Sequence, residues 1–229
     1  MTFINKVKIK ICGVTNGEDV RLVCNAGADF LGLLLDVPSP RSLTLEGVES
    51  LSKISSVPVV ILFSDAETEK ILNAVETIRP YAIQLQGSEP PEMIIELRKS
   101  VATEIWKALH FPAQGDDVVP IEEAKQMMKE YATAGADKFI LDTVVVRGEK
   151  KQQGGTGRTH DWGLAKELVV LSALPVFLAG GLNPENVCEA IEKVRPYGVD
   201  LSSGVEMSVG KKDPVKVQSF ITRARGCTA

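Results

Sequence analysis

Lys10 and Cys12 stand one residue apart near the N-terminus. In an extended strand that spacing puts both side chains on one face. A neighbouring ammonium would favour the thiolate and make Cys12 a base or a nucleophile; the same position equally suits a small buried cysteine. Asp142 follows Phe139-Ile140-Leu141, and a buried carboxyl group there could serve as a general acid or cap a loop. Arg41, just after Ser39-Pro40, has the fork geometry to clamp a ligand carboxylate bidentately. Three small-residue groups could let an anion approach the backbone: Gly154-Gly155-Thr156-Gly157, Gly180-Gly181 and Ser202-Ser203-Gly204. The two histidines, His110 and His160, have no partner at ligand spacing, so no metal site is expected.

These residues need elements to position them, and the chain supplies an eightfold alternation. β-rich runs fall at Lys8–Cys12, Phe30–Leu35, Val59–Phe63, Ala82–Gln86, Glu104–Leu109, Lys138–Asp142, Val176–Ala179 and Gly198–Leu201. Several are nearly continuous in Val, Ile and Leu, as strands covered on both faces are. Between them, apolar residues recur at helical spacing: Ile71, Leu72, Val75 and Ile78 in one segment, Val187, Ala190, Ile191 and Val194 in another. Asn183-Pro184 and Asp213-Pro214 read as helix N-caps followed by a first-turn proline. Ala-Gly-Ala-Asp occurs at 26–29 and 134–137, and Arg-Pro-Tyr at 79–81 and 195–197, each time just before a strand and at offsets near half the chain.

Eight β/α units in 229 residues, or roughly 29 each, predict an α/β fold of the (β/α)₈ barrel type. A doubly wound sheet usually has fewer strands and no half-chain symmetry. Residues 1–229 read as one domain, because no linker-like stretch divides them; the segment from Arg147 to Arg158 is the one long polar loop. In such barrels the active site forms at the C-terminal ends of the strands, with phosphate bound near strands seven and eight. The residues there are Cys12, Asp36 with Arg41 beyond it, Gln86, Asp142, Gly180-Gly181 and Ser202-Ser203-Gly204. Jointly they point to a phosphorylated ligand.

Composition narrows the partners. Lys+Arg at 26 against Asp+Glu at 30 gives a net charge of −4, which argues against a nucleic-acid surface. No apolar stretch approaches the roughly 20 residues of a membrane span, and Met1–Lys10 has no signal-peptide core. Cys12, Cys24, Cys188 and Cys227 lie far apart without a C-x-x-C pair. Neither disulfides nor structural zinc are expected, and the chain reads as a reduced cytoplasmic protein.

Longer motifs then carry a resemblance. Lys-Ile-Cys-Gly-Val-Thr-Asn at 10–16, Ser-Pro-Arg at 39–41, Leu-Asp-Thr at 141–143 and Gly-Gly-Thr-Gly at 154–157 resemble the phosphoribosylanthranilate isomerase family of tryptophan biosynthesis. So do Asp-Trp at 161–162, Gly-Gly-Leu-Asn-Pro-Glu-Asn-Val at 180–187, Asp-Leu-Ser-Ser-Gly-Val-Glu at 200–206 and Gly-Lys-Lys-Asp at 210–213. The resemblance runs from the first strand to the last helix. It implies an Amadori rearrangement of N-(5'-phosphoribosyl)anthranilate without metal or organic cofactor. By that likeness Asp142 is the general acid, Cys12 the general base and Arg41 the holder of the anthranilate carboxylate. Gly155, Thr156, Gly157, Gly180, Gly181, Ser202, Ser203 and Gly204 would hold the phosphate, with Lys10, Gln86 and Asp200 in support. The implied partner is a small phosphorylated substrate, with a monomer or homodimer and association with pathway enzymes left open. Gln86, where the family usually has histidine, His160, where it has an aromatic, and Asp36-Val37 depart from the pattern on the anthranilate side. Two alternatives remain: a paralogous phosphate-binding isomerase for a related N-phosphoriboside, and a non-catalytic phosphoribosyl-ligand binder. The histidine-pathway sister barrel places aspartate where this chain has Cys12, which argues against it.

Overall fold

The computed structural model describes residues 6–113, 115, 119–147, 150–153 and 159–227. Its barrel strands are β1 (Lys8–Cys12), β2 (Phe30–Asp36), β3 (Val59–Phe63), β4 (Ala82–Leu85), β5 (Glu104–Pro112), β6 (Lys138–Arg147), β8 (Val176–Leu178) and β9 (Gly198–Leu201). They pair in parallel in the order β5-β4-β3-β2-β1-β9-β8-β6, and β6 returns to β5 to close the barrel. Helices follow the strands: α1 (Gly17–Ala26), α2 (Leu45–Ile54), α3 (Thr68–Ile78), α4 (Pro91–Arg98), α5 (Ile121–Ala134), α6 (Trp162–Leu171), α7 (Val187–Val194) and α8 (Pro214–Gly226). The expected (β/α)₈ architecture is what the chain adopts.

The repeats turn out to do the same work in each half. Gly27 and Gly135 close α1 and α5 in the left-handed region, with φ of 93° and 106°, which a residue without Cβ enters freely. The aspartates that follow accept strand amides at equivalent places: Asp29 from Ile9 N at 2.8 Å and Asp137 from Ile105 N at 2.7 Å. Tyr81 and Tyr197 lie against the inner rings of Phe30 and Phe177, each at 5.5 Å.

Alternation along the strands sorts side chains into two layers. Outward residues such as Ile9, Leu31, Ile61 and Ile83 pack under the helices in the larger core cluster. Inside the barrel a smaller cluster is built on Phe30, Trp106 and Phe177, with Trp106 stacked on Phe177 at 5.1 Å. This aromatic plug fills the N-terminal part of the lumen, and the polar residues lie beyond it.

Three expectations need correction. Strand six does not end at Asp142: the β-branched run Thr143–Val146 continues it to Arg147, where β7 (Lys150–Gln153) folds back antiparallel as a hairpin. Asp142 still marks the barrel rim, since β6 pairs with β8 only as far as Leu141. The regular turns of α7 start later than Asn183-Pro184 suggests, at Val187 after Asn186, although Asn183 makes the expected cap bonds, its side chain accepting from Glu185 N and Asn186 N and its carbonyl from Val187 N. Asp213 caps α8 as expected, accepting from Val215 N and Lys216 N. Finally, Cys188 and Cys227 are joined in a disulfide. They are distant in sequence, but α7 and α8 are barrel neighbours, and closure brings the start of one beside the end of the other.

Candidate active site

Beyond the plug, β1, β4, β6 and β9 bury polar residues: Lys10, Gln84, Asp142 and Asp200. Lys10 on β1 lies opposite Asp200 on β9 in the parallel register, and its Nζ reaches Asp200 Oδ2 at 2.7 Å with both groups buried. Burial pulls the Lys10 pKa down, but Asp200 and the Cys12 sulfur outweigh it and hold the ammonium above its ordinary value.

Cys12, two residues along, is also buried. Burial raises its pKa, Lys10 lowers it, Asp200 raises it, and Lys212 and the Gly13 N–H lower it; burial prevails, so the thiol sits above its ordinary range. The expectation that Lys10 favours the thiolate is thus corrected in degree. Lys10 acts in the anticipated direction, but its charge is largely matched by Asp200.

Across the mouth, three strands round the barrel in the β1-β9-β8-β6 order, Asp142 is held from two directions. Thr143 N donates to its Oδ1 at 2.7 Å, and Gln86 Nε2 donates to its Oδ2 at 3.0 Å. Gln86 is oriented in turn: its Oε1 accepts from Gln84 Nε2 at 2.6 Å, and its backbone carbonyl lies 2.6 Å from His110 Nε2. The Thr143 hydroxyl lies 2.9 Å from Nδ1 of His160. Burial of that imidazole lowers its pKa to about 4, so it is neutral at neutral pH.

Arg41 lies over Gly13, where a Cβ would come within 2.7 Å of its Cδ. Its guanidinium is engaged by Glu206, with Nε to Oε1 at 2.7 Å and Nη2 to Oε2 at 2.6 Å. The fork expected to meet a ligand therefore already holds a protein carboxylate along one edge. Asp36, at the rim of β2, pairs with Lys70 of α3.

The small-residue loops meet on the remaining arc. Gly180 and Gly181 have φ of 81° and 67°, and a Cβ on Gly180 would fall 2.1 Å from Thr143 Oγ1. Asn186 Nδ2 ties Gly181 O at 3.0 Å. Ser202 precedes the short 3₁₀ turn Ser203–Val205, and a Cβ on Gly204 would fall 1.9 Å from Leu182 O, so the loops after β8 and β9 pack directly together. The Ser202 hydroxyl is buried and has no hydrogen-bond partner among the described residues. Gly155, Thr156 and Gly157 lie outside the described residues.

Cys12, Asp142, Gln86, Lys10, Asp200, Arg41 and the two described glycine–serine groups are therefore gathered at one mouth. Sequence reasoning passed over Glu206, Lys212, Gln84 and Thr143. Glu206 and Lys212 sit inside quoted motifs and Gln84 shares the parity of Gln86, so position alone marked them.

Similarity to known proteins follows the same lines. Residues 9–223 match the family model described as N-(5'phosphoribosyl)anthranilate (PRA) isomerase. The N-(5'-phosphoribosyl)anthranilate isomerase of Methanocella arvoryzae is 40% identical over 222 residues, 95% of this chain and 98% of that protein. The crystal structure of phosphoribosyl anthranilate isomerase from Thermotoga maritima superposes with a TM-score of 0.80 at 34% identity, covering 96% of this chain and 99% of that one. A phosphoribosyl anthranilate isomerase solved with reduced 1-(o-carboxyphenylamino)-1-deoxyribulose 5-phosphate gives a TM-score of 0.78 at 32% identity, with coverage of 96% and 99%.

Proposed function

The chain belongs to the N-(5'-phosphoribosyl)anthranilate isomerase family, and on that premise we propose that its barrel mouth performs the Amadori rearrangement of N-(5'-phosphoribosyl)anthranilate, with Asp142 as acid and Cys12 as base. The carboxyl group of Asp142 gives its proton to the furanose ring oxygen. The C1′–O bond breaks as the anthranilate nitrogen lone pair forms the Schiff base. The Cys12 thiolate takes the proton from C2′, and the C–H electrons move to neutralise the iminium, giving an enolamine. Tautomerisation moves the enol hydroxyl proton to C1′ and leaves the ketone. No bond is formed to the protein, and no oxidant or reductant enters.

What supports this reading is that Cys12 and Asp142 stand at the rim of one mouth, with the Gly180–Gly181 and Ser202–Gly204 loops on the arc between them. A phosphate anchored there by backbone N–H groups and the buried Ser202 hydroxyl, which has no partner among the described residues, would hold the sugar between acid and base. Arg41 would take the anthranilate carboxylate, with Lys10, Asp200 and Gln86 positioning the two catalytic groups. Residues 1–229 would act as one barrel domain in the cytoplasm, as a monomer or homodimer with this small molecule as partner. Among the described residues no helix is long and apolar enough to cross a membrane.

The test is turnover of substrate generated in situ, followed by loss of its fluorescence. Wild type should be active, and Cys12→Ser and Asp142→Asn should each lose about 10²–10⁴-fold in kcat, the usual weight of a general acid or base. A folded wild type that binds product analogue but never turns over would defeat the enzyme reading and favour the non-catalytic binder.

A further inference from the structure

Two buried charged residues stand beside Arg41 that the proposed mechanism leaves unused. Glu206 lies in β10 (Glu206–Ser208) and Lys212 in β11 (Lys211–Lys212), and the two are register partners in this small antiparallel clip. Glu206 Oε1 accepts from both Arg41 Nε at 2.7 Å and Lys212 Nζ at 3.1 Å, while Oε2 takes Arg41 Nη2 at 2.6 Å. The clip is fixed from behind: Lys212 N donates to Asp19 Oδ2 of α1 at 2.9 Å, and Lys216 Nζ to the Glu206 carbonyl at 2.9 Å. Lys212 Nζ also donates to Ser202 O at 2.9 Å, at the head of the turn assigned to phosphate.

The charges explain why three groups are needed. Arg41 with Glu206 alone is formally neutral, a poor receptor for an anion. Lys212 restores one positive charge while Glu206 keeps the guanidinium edge-on, holding Nε and Nη2 and leaving Nη1 of the five-donor fork to present. Because the same ammonium grips Ser202, the carboxylate and phosphate ends of the site are tied through one buried atom. Resting on the reading of Arg41 given above, we propose that Glu206 and Lys212 are positioning residues for the substrate carboxylate, Glu206 orienting Arg41 and Lys212 supplying the net charge of the clamp.

The experiment compares N-(5'-phosphoribosyl)anthranilate with the same compound built on aniline, which lacks the carboxylate. KM and kcat are measured for wild type, Arg41→Met, Glu206→Gln, Lys212→Met and Lys212→Arg. Wild type should favour the carboxylate-bearing substrate, and Arg41→Met should abolish that preference. Glu206→Gln should raise KM for the anthranilate compound about tenfold, the weight of one charged hydrogen bond, and change KM for the aniline compound less than about threefold. Lys212→Met, which also releases the phosphate turn, should raise KM for both compounds, but about tenfold more for the anthranilate one. Lys212→Arg should recover most of the loss. Lys212 also bears on Cys12, so a fall in kcat common to both substrates is expected for Lys212→Met and cancels in the comparison. Equal KM increases for both substrates would overturn the proposal and leave the reading of Arg41 standing. A wild type indifferent to the carboxylate would refute the Arg41 reading and this proposal with it, and one that turns over neither compound would refute the function. Should Lys212→Met fail to fold, as judged by circular dichroism, near-isosteric Glu206→Gln decides alone.

Discussion

Gly180→Ala is a local change with two separable effects. At φ of 81° an alanine carries left-handed strain of about 1–2 kcal/mol. Its Cβ would also lie 2.1 Å from Thr143 Oγ1, 2.7 Å from Thr143 Cβ and 2.8 Å from Thr143 N. Ordinary contact lies at about 3.5–4.0 Å, and Thr143 cannot simply rotate away, since its backbone is also hit and is laddered to Phe111 of β5. Overpacking of this kind costs a further 1–3 kcal/mol or so. The total is about 2–5 kcal/mol. Gly27→Ala is the control: φ is 93°, and nothing lies within 4 Å of the added atom, so only the strain of about 1–2 kcal/mol should appear. Activity separates the pair again. Thr143 N holds Asp142 Oδ1, so pushing Thr143 should misplace the acid and lower kcat at least about tenfold, while Gly27→Ala leaves kcat unchanged. Urea unfolding by circular dichroism and the fluorescence assay read both quantities. Equal stability losses in the two variants would refute the steric argument; a destabilised Gly180→Ala with full kcat would refute the coupling of Gly180 to the acid.

The other predictions concern titration and cross-linking. With the Cys12 thiol raised by burial, kcat/KM should climb with pH through a limb above the ordinary thiol range. Lys10→Met should move that limb higher, since Lys10 lowers the thiol more than Asp200 raises it, and an unmoved limb would remove Lys10 from the chemistry. His160 is neutral in the fold, its pKa lowered from 6.5 to about 4. Its contribution is intact above about pH 6.5 and lost as pH falls through the two values, about 3 kcal/mol in all. His160→Gln should shrink the loss of unfolding free energy between pH 7 and 4 by that amount, and an equal loss in the variant would discount the histidine. The Cys188–Cys227 bridge closes 39 residues of sequence, worth about 4 kcal/mol by loop entropy, so dithiothreitol should lower Tm. Thiol titration of the unreduced, denatured chain should find two reactive cysteines; four would refute the bridge.

Much of the barrel is legible in the sequence because its signals are local. A run such as Val59-Val60-Ile61-Leu62-Phe63 has one economical fate, a strand covered on both faces. Asp213 ahead of Pro214 fixes a helix start from side-chain chemistry alone. The sequence misleads where one local signal competes with another. Asn183-Pro184 makes the bonds of a cap, yet the regular helix starts only after Asn186. Arg147–Arg158 reads as a loop because it is polar, but the β-branched run ahead of it favours extended backbone, and β6 continues into a hairpin with Lys150–Gln153.

Partnership across the closed barrel is a different matter, and it is what decides the chemistry. Lys10 and Asp200 are 190 residues apart, and Arg41 and Glu206 are 165 apart. Neither separation carries a local signal; both pairs exist because closure sets β1 beside β9 and lays the Glu206–Lys212 clip against the loop that carries Arg41. A lone Lys10 next to Cys12 argues for a thiolate, whereas a Lys10 matched by Asp200 leaves burial in control of the thiol. Likewise a lone Arg41 is a finished carboxylate receptor, but one paired with Glu206 needs the charge of Lys212 to attract a second carboxylate. Where the reactive groups stand follows from strand order and parity, which one-dimensional pattern encodes. Which proton or charge each carries follows from its cross-barrel partner, which only the folded register supplies.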